Sequence, residues 1–268
     1  MGQTVAVVMP AWRAENTIAQ TVRSLLAQTY PHWELWLIAD DGGDYRSVLA
    51  AVNISDTRLR FLQSGGIGLG ASQARNVALE RISAPYAAVL DADDRFKPTK
   101  LERAVEALAE HAIVSCALEV VSQEGRHLRN VGVSANSPLT PGTHKWRNLS
   151  MDSMIVWDRR RTDSRYDPSL SNMTDLDFLL RLYRLSPTSM HLGAPLHDYV
   201  KHAGSMSESA DVTTRMIRSK RQNPLPPPKR LLWTGRRRRG GCRAVPGSLD
   251  ASRGDIRSCK GRTASAAV

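Results

Sequence analysis

A short run of carboxylates, Asp91-Ala92-Asp93-Asp94, has residue types and spacing that could do chemistry. It directly follows the apolar residues 86–90, which predict a buried strand. At the extended end of a strand alternate side chains point the same way, so Asp91 and Asp93 can converge on one point. Converging carboxylates repel each other unless a cation or a hydrogen-bond donor lies between them. A hard divalent ion such as Mg²⁺ or Mn²⁺, which also takes phosphate oxygens as ligands, satisfies that geometry. In the alternative interpretation these acids cap the helix that Pro98 opens, or form an Asx turn.

A second acidic pair follows another predicted strand. Asp40 and Asp41 come directly after residues 34–39 and precede Gly42 and Gly43. Carboxylates in this position can accept hydrogen bonds from a bound ligand. With two glycines beside them they can also serve only to shape a turn.

Strand and helix signals alternate along the first 111 residues. Strands are predicted at residues 5–9, 34–39, 59–63 and 86–90, and helices at residues 17–28, 46–52, 71–82 and 98–111, with Asn16 as the N-cap of the first helix. The alternation predicts an α/β fold with a single Rossmann-like, mostly parallel sheet flanked by helices on both faces. Right-handed crossovers then bring the loops at 10–16, 40–44, 64–70 and 91–94 to one edge of the sheet.

The glycine-rich loop before the third helix suggests a competing function. Gly66, Gly68 and Ala71 fit a dinucleotide-binding fingerprint, and Asp91 lies 25 residues after Gly66. This pattern usually follows the first strand of its unit, whereas two strands and a helix precede it here. The next strand also ends in carboxylates, which a bound pyrophosphate would not tolerate without a metal ion.

Composition limits the class of protein. The chain has 268 residues, 41% hydrophobic and 24% charged, which suits one large globular domain or two small ones. No apolar run approaches the roughly 18 residues of a membrane-spanning helix, so the sequence predicts no integral membrane protein. The N-terminus also lacks the basic and apolar regions of a secretory signal. Three cysteines without a Cys-x-x-Cys pair indicate a reducing, cytoplasmic setting.

The net charge of +11 is unevenly distributed. Residues 215–268 contain 15 Lys and Arg but two acidic residues, while residues 1–214 carry a net charge of −2. The tail is rich in Pro, Arg and Gly without periodicity, so we predict that it is disordered. It is either a solvated tail or a weak peripheral contact with anionic lipid head groups, and we expect no specific nucleic-acid partner.

Five motifs in the first hundred residues occur together in a known order and spacing. They are Val-Val-Met-Pro-Ala-Trp-Arg-Ala-Glu-Asn at 7–16, Ser-Leu-Leu-Ala-Gln-Thr-Tyr at 24–30, Ile-Ala-Asp-Asp-Gly at 38–42, Ala-Arg-Asn at 74–76 and Val-Leu-Asp-Ala-Asp-Asp at 89–94. In this combination the chain resembles the family 2 glycosyltransferases, which have the GT-A fold.

The second half of the chain is similar to the same family in a looser way. Tyr-Asp-Pro-Ser-Leu at 166–170 and Asp-Leu-Asp-Phe-Leu-Leu-Arg-Leu at 175–182 resemble its acceptor-side segment, and residues 201–207 resemble the strand-to-loop ending of its catalytic domain. Three positions depart from the pattern. Arg13 stands where Asn is usual, Gly43 where Ser is usual, and Thr174 replaces the first member of a Glu-Asp pair.

The resemblance implies a GT-A domain at 1–214, with a nucleotide-sugar-binding half at 1–112 and an acceptor-side half at 113–214. It implies an inverting transfer of a sugar from a nucleoside-diphosphate sugar, with a UDP-sugar favoured, to a hydroxyl of a glycan or lipid-linked acceptor. Mn²⁺ or Mg²⁺ would neutralise the leaving diphosphate, and a carboxylate would take the acceptor proton. The expected setting is cytoplasmic, with assembly of surface polysaccharide or glycolipid at the inner face of a membrane.

Residue roles follow from the matched motifs. Asp93 would be the main metal ligand, with Asp91 and His202 as further ligands. Asp175 would be the catalytic base, with Asp177 in reserve, although either could instead be the N-cap of a helix at 178–183. The donor nucleotide would contact Pro10, Ala11, Trp12, Glu15, Asp40, Asp41, Arg75, Asp91 and Ala92, with Asp41, or failing that Asp40, accepting a hydrogen bond from the base.

Two alternatives remain open at this point. Thr174 and the unusual tail are compatible with a degenerate relative that binds a nucleotide sugar without turnover. A nucleotidyltransferase would use similar metal chemistry, but it usually carries a Gly-rich basic loop after its first strand, and residues 10–15 match such a loop poorly.

Overall fold

Strands and helices alternate through the first half of the computed structural model, which describes residues 2–147, 149, 151–202, 217 and 221. In chain order the strands are β1 Val5–Ala11, β2 Trp33–Ala39, β3 Leu59–Gln63, β4 Tyr86–Val89, β5 Arg95–Phe96, β6 Ile113–Ser122, β7 His127–Val131, β8 Ser137–Leu139, β9 Ile155–Asp158 and β10 Ser189–Lys201. The helices are α1 Ile18–Leu26, α2 Tyr45–Ala50, α3 Ala71–Leu79, α4 Lys100–Leu108, α5 Pro141–Arg147 and α6 Thr174–Leu182, with a 3₁₀ turn at Asp152–Met154 before β9.

The ten strands form one sheet with two differently built halves. In the first half β3, β2, β1 and β4 are all parallel. In the second half β9 is antiparallel to both β4 and β6, and β10 runs parallel to β6. The predicted α/β fold, a single open sheet flanked by helices, is confirmed. The sheet is parallel from β3 to β4, where βαβ units build it. Beyond β4 it is mixed, because β9 runs antiparallel to β4.

Both faces of β1 are buried, which explains its continuous apolar sequence. Val7 and Met9 lie in a core cluster with Ile18 and Leu25 of α1. Val8 points to the other face, where the cluster includes Ala74 and Ala78 of α3 and Trp157 of β9. A strand covered on both faces has no polar positions to alternate with apolar ones. The strand is therefore visible in the sequence as an uninterrupted run.

Predicted and observed elements differ at their ends. Helix α1 begins at Ile18 with Thr17 as its N-cap, so the prediction of Asn16 as cap was wrong. Helix α4 spans Lys100–Leu108, shorter than the predicted 98–111. The boundary at 214 and the predicted disordered tail, apart from residues 217 and 221, lie outside the described residues. Within the part that is described, no helix has the length and apolar character needed to cross a bilayer.

Candidate active site

A cavity of about 520 Å³ opens at the carboxyl ends of β1, β2 and β4. It lies where the sheet topology predicted that the functional loops would meet. The wall contains apolar, acidic and basic side chains close together. The lining residues are Pro10, Ala11, Trp12, Arg13, Ala14, Thr17, Asp40, Ala71, Arg75, Asp91, Ala92, Asp93, Tyr199 and His202.

Asp40 anchors the glycine-rich loop that precedes α3. Its two carboxylate oxygens accept hydrogen bonds from the backbone N–H of Leu69 at 3.1 Å and of Gly70 at 2.8 Å. The carbonyl oxygen of Asp40 also accepts from the N–H of Gly68 at 2.7 Å. Gly68 and Gly70 have φ values of 69° and 93°, which glycine adopts without strain. Two N–H groups of the loop directly before α3 are thus already bound to a carboxylate of the protein, whose negative charge would repel a pyrophosphate placed there, and this argues against the dinucleotide hypothesis.

Asp41 holds the turn that follows β1. Its Oδ2 accepts hydrogen bonds from the backbone N–H of Arg13 at 2.5 Å and from the hydroxyl of Tyr45 at 2.6 Å. Its Oδ1 accepts from the N–H of Gly43 at 2.9 Å. Burial opposes the charge, but these hydrogen bonds outweigh it and lower the pKa of Asp41. Asp41 lies behind the turn, whereas Asp40 lines the cavity.

Trp12 forms an exposed apolar surface at the cavity mouth. Its side chain is 45% exposed, and its ring lies against Gly68, where an added Cβ would come within 3.5 Å of the indole. The guanidinium of Arg13 lies over the ring at 5.3 Å from its centroid. The exposed indole face offers a flat surface on which a planar base could stack.

Arg75 is enclosed between two carboxylates. Its Nη2 donates to Asp91 at 2.7 Å and its Nη1 contacts Asp152 at 2.8 Å. Burial disfavours the guanidinium charge, but the two carboxylates outweigh it and raise the pKa of Arg75. Asp152 also accepts a hydrogen bond from the hydroxyl of Tyr166 at 2.6 Å. The hydrogen bond from Arg75 therefore holds the carboxylate of Asp91 at the edge of the cavity.

Asp93 lies near the two other carboxyl groups of the acidic loop, those of Asp91 and Asp94. The side chain of Asp93 is half exposed, and its Oδ2 lies 3.8 Å from Nε2 of His202. Partial burial and the charges of Asp94 and Asp91 raise the pKa of Asp93 to about 6. Asp91 is turned toward Arg75 instead of toward His202. Among the described residues, no group of three His, Cys, Asp or Glu side chains is arranged to hold a metal ion.

Asp94 points away from the cavity into the protein. Its oxygens accept from the N–H of Val200 at 2.9 Å and contact Nε2 of His197 at 3.0 Å. Both side chains are fully buried, so burial raises the pKa of Asp94 and lowers that of His197. Asp94 thus ties the acidic loop to β10, which ends next to His202.

Helix α6 carries the two candidate bases. It begins at Thr174 after a left-handed Met173 as N-cap, so the hypothesis that Asp175 or Asp177 is the N-cap was wrong. Asp175 is half-buried, and burial together with the charge of Asp152 raises its pKa to about 7. Asp177 pairs with Arg181 at 2.6 Å. A pKa of about 7 suits a base near neutral pH.

The structure brings most of the predicted donor-side residues into one cavity. Pro10, Ala11, Trp12, Asp40, Arg75, Asp91, Ala92, Asp93 and His202 all line it. Glu15 is exposed, and neither it nor Asp41, Asp175 or Asp177 belongs to the lining. Sequence reasoning missed Asp152, Tyr45 and Tyr199. Asp152 carried no signal of its own, because it contacts Arg75 across a distance of 77 positions in the chain.

Comparison with known proteins agrees with this arrangement. The family model for glycosyl transferase family 2 matches residues 6–177, which include β1 to β4, the acidic loop and the start of α6. The chain belongs to glycosyl transferase family 2.

Two curated relatives show how far the family likeness extends. The chain is 30% identical over 203 residues to TuaG of Bacillus subtilis (strain 168), which bears the name of a teichuronic acid biosynthesis glycosyltransferase. That match covers 73% of this family 2 chain and 78% of TuaG. It is 36% identical over 109 residues to the UDP-Glc:alpha-D-GlcNAc-diphosphoundecaprenol beta-1,3-glucosyltransferase WfgD of Escherichia coli, over 41% of this chain and 42% of WfgD.

A solved structure shares the family 2 fold. Residues 1–349 of S. aureus TarS, crystallised with UDP-GlcNAc, match with a TM-score of 0.65 and 17% sequence identity. The match covers 82% of this chain and 66% of the TarS chain. At this level of identity the likeness shows the fold. Together with the family match it establishes a glycosyltransferase with a GT-A fold and excludes the nucleotidyltransferase and dinucleotide alternatives.

Proposed function

We propose that this family 2 glycosyltransferase moves a sugar from a UDP-sugar to a hydroxyl of a glycan or lipid-linked acceptor during surface polysaccharide or glycolipid assembly. The observation that carries the proposal is the cavity itself. It combines an exposed indole, a buried arginine and three carboxylates at the carboxyl edge of the sheet. A nucleoside diphosphate presents a planar base to the indole, and its anionic diphosphate would meet the carboxylates through a divalent cation.

The base side of the donor site would be formed by Trp12 and the segment from Pro10 to Ala11. The indole supplies a stacking surface, and stacking on an aromatic ring is worth about 1–3 kcal/mol per base. Asp40 lines the same part of the cavity, although its oxygens already accept two backbone hydrogen bonds. Each carboxylate oxygen has a second lone pair, so Asp40 can still accept from a base N–H. TarS crystallised with UDP and with UDP-GlcNAc, and WfgD is named as using UDP-Glc, which favours uracil as the base.

The diphosphate side would need a divalent cation, Mn²⁺ or Mg²⁺. What favours such an ion is the closeness of carboxyl groups, since burial first and then the negative charges of Asp94 and Asp91 raise the pKa of Asp93 to about 6, and a cation would relieve both. Asp93 would hold the cation, with Asp91 and His202 as further ligands. When bound, the cation would neutralise the charge that develops on the leaving diphosphate. Arg75 holds one oxygen of Asp91, so Asp91 would offer the ion its other oxygen.

The acceptor side would use Asp175 as the catalytic base. Asp175 lies in the first turn of α6 and interacts electrostatically with Asp152, the partner of Arg75 on the cavity wall. A carboxylate with a pKa of about 7 can take the acceptor proton as the new glycosidic bond forms. Attack from the side opposite the leaving diphosphate gives inversion at the anomeric carbon. Asp177 suits this role less well, since it is paired with Arg181.

The setting of the reaction is also part of the proposal. TuaG and WfgD are named for polymers or lipid-linked sugars of the cell surface. We place the enzyme in the cytoplasm, with peripheral contact at the inner face of the membrane. The basic segment at 215–268 would supply the contact to anionic lipids.

Calorimetric titration with UDP, GDP and dTDP, in Mn²⁺ and then in EDTA, tests the donor site. We expect UDP to bind in Mn²⁺ and to bind much more weakly in EDTA. Hydrolysis or transfer assays with UDP-sugars then separate an active enzyme from a degenerate relative. Binding without turnover on any UDP-sugar and acceptor would favour the degenerate relative, and no nucleotide binding by folded protein would refute the proposed donor site.

A further inference from the structure

We infer that Arg13 binds the phosphate groups of the nucleotide donor and is a specificity-determining residue of this chain. The inference rests on the proposed function, because it assumes a nucleoside-diphosphate ligand in the cavity. Arg13 stands where Asn is usual in the family pattern that residues 7–16 resemble, and the inference assigns a ligand contact to its side chain. Three features of the structure carry it.

The backbone at Arg13 is held in an unusual conformation. Its φ is 50°, in the left-handed region that Asn and Gly adopt more readily than a long side chain. Asp41 fixes the N–H of Arg13, and the hydroxyl of Tyr45 accepts from the N–H of Ala14 at 3.0 Å. The turn is therefore imposed by groups outside it. An arginine is kept at a position where Asn would fit with less strain, and such positions cluster at ligand-binding sites.

The turn directs the side chain of Arg13 to the cavity. Arg13 contributes to the lining beside Trp12, Asp93 and His202. The guanidinium lies over the Trp12 ring at 5.3 Å from its centroid. At that distance the guanidinium is attracted to the ring as a cation, and its N–H donors are not used up by the contact.

Of the two arginines that line the cavity, Arg13 rather than Arg75 is available to pair with an anionic ligand. The terminal nitrogens of Arg75 already pair with Asp91 and Asp152. No described carboxylate forms an ion pair with Arg13. The guanidinium of Arg13 is thus available to phosphate oxygens, which it can engage with two parallel hydrogen bonds.

Variants of Arg13 compared on UDP, UMP and uridine test the assignment. Arg13→Asn restores the residue that is usual in the similar family and relieves the backbone strain, so it should fold at least as well as the parent protein. We expect UDP affinity to fall by about tenfold or more, as for loss of a charge-assisted hydrogen bond. Uridine affinity should remain within about twofold, because uridine lacks phosphate, and Arg13→Lys should be intermediate for UDP.

Arg46 offers a matched control. It is an exposed arginine that lies over the ring of Phe61 at 4.5 Å, on a different part of the surface. Arg46→Asn should leave the affinity for all three ligands unchanged. Equal loss of UDP and uridine affinity in Arg13→Asn would overturn the phosphate contact and leave Arg13 a support for Trp12. Parent-like UDP binding by that variant would overturn the inference alone, while a parent protein that binds no nucleotide would overturn the proposed function and this inference with it.

Discussion

Asp152 lies 2.8 Å from Nη1 of Arg75, and each of these side chains is only 7% exposed. The carboxylate comes from the 3₁₀ turn before β9, and the guanidinium comes from α3. Tyr166 donates to the other oxygen of Asp152, so both carboxylate oxygens have a partner within the protein. The pair joins the second half of the chain to the floor of the donor cavity. Its strength can be measured.

Loss of Asp152 should destabilise the fold strongly. Asp152→Ala leaves Arg75 buried beside a single carboxylate, and breaking a buried pair costs about 3–5 kcal/mol of unfolding free energy. Urea denaturation measures the change. Asp167→Ala removes a more exposed partner of Arg181 and should cost about 1 kcal/mol or less. An equal loss of unfolding free energy in both variants would contradict the burial of the Arg75–Asp152 pair. The double variant Arg75→Met, Asp152→Ala should lose less unfolding free energy than the sum of its two single changes.

Asp93 should control metal-dependent donor binding without supporting the fold. Its side chain is half exposed, so Asp93→Asn should keep the melting temperature within a few degrees of the parent. We expect UDP binding in this variant to become insensitive to EDTA and as weak as parent binding without metal. Glu80→Gln, a change at an exposed residue at the end of α3, is the control. Full Mn²⁺-dependent activity in Asp93→Asn would remove Asp93 from the metal site.

Asp175 should separate chemistry from binding. Asp175→Asn is expected to bind UDP as the parent does while the transfer rate falls by about 10²–10⁴, the usual contribution of a general base. Steady-state kinetics with a UDP-sugar and acceptor, beside calorimetry, measure both quantities. Asp177→Asn should retain most of its rate, because Asp177 is paired with Arg181. Parallel loss of UDP binding and rate in Asp175→Asn would move Asp175 from catalysis to structure.

The pH dependence of the transfer rate and that of the unfolding free energy should both reflect the titration of Asp175. A base with a pKa of about 7 must be deprotonated to act, so the rate should rise with pH and level off above about pH 7. A carboxyl whose pKa is raised on folding stabilises the folded state at low pH, and that stability is lost as pH rises from about 4 toward 7. The stability gained by Asp175→Asn should therefore grow across that interval. A flat difference between the two proteins would show that the Asp175 pKa is not raised.

Asp40 should govern the order of the glycine-rich loop. Asp40→Ala removes the acceptor for the N–H groups of Leu69 and Gly70, so both amides should exchange with solvent faster. Hydrogen exchange detected by NMR measures this effect residue by residue. The amide of Ala74 bonds to the carbonyl oxygen of Gly70 inside α3 and serves as an internal reference. Unchanged protection at Leu69 and Gly70 would mean that other groups hold the loop.

The residues that line the donor cavity could be predicted from the sequence, whereas the long-range contacts that hold them in place could not. Strands β1 and β4 are almost entirely buried and β2 and β3 are partly buried, and all four are encoded as local runs rich in apolar residues. The meeting of their carboxyl ends at one sheet edge therefore follows from general rules of α/β folds. Asp152 and Tyr166 reach Arg75 only because β9 pairs with β4, and no local pattern encodes that pairing. The start of α6 was also misplaced, since its first turn is polar and Met173 rather than an Asp is the cap. Local patterns thus identify the cavity wall but not the long-range contacts that orient it.

The position of β4 between β1 and β9 has a consequence for biosynthesis. Chain growth on the ribosome produces β4 about seventy residues before β9, the strand that covers its free edge. Until residues 155–158 emerge, the parallel half of the sheet ends in an unpaired edge strand, and Arg75 lacks the carboxylate that neutralises it from the second half. An open edge of this kind is a template for pairing with other chains. The nascent enzyme should therefore be most prone to aggregation during that interval of synthesis, and it should lose this tendency once β9 closes the edge.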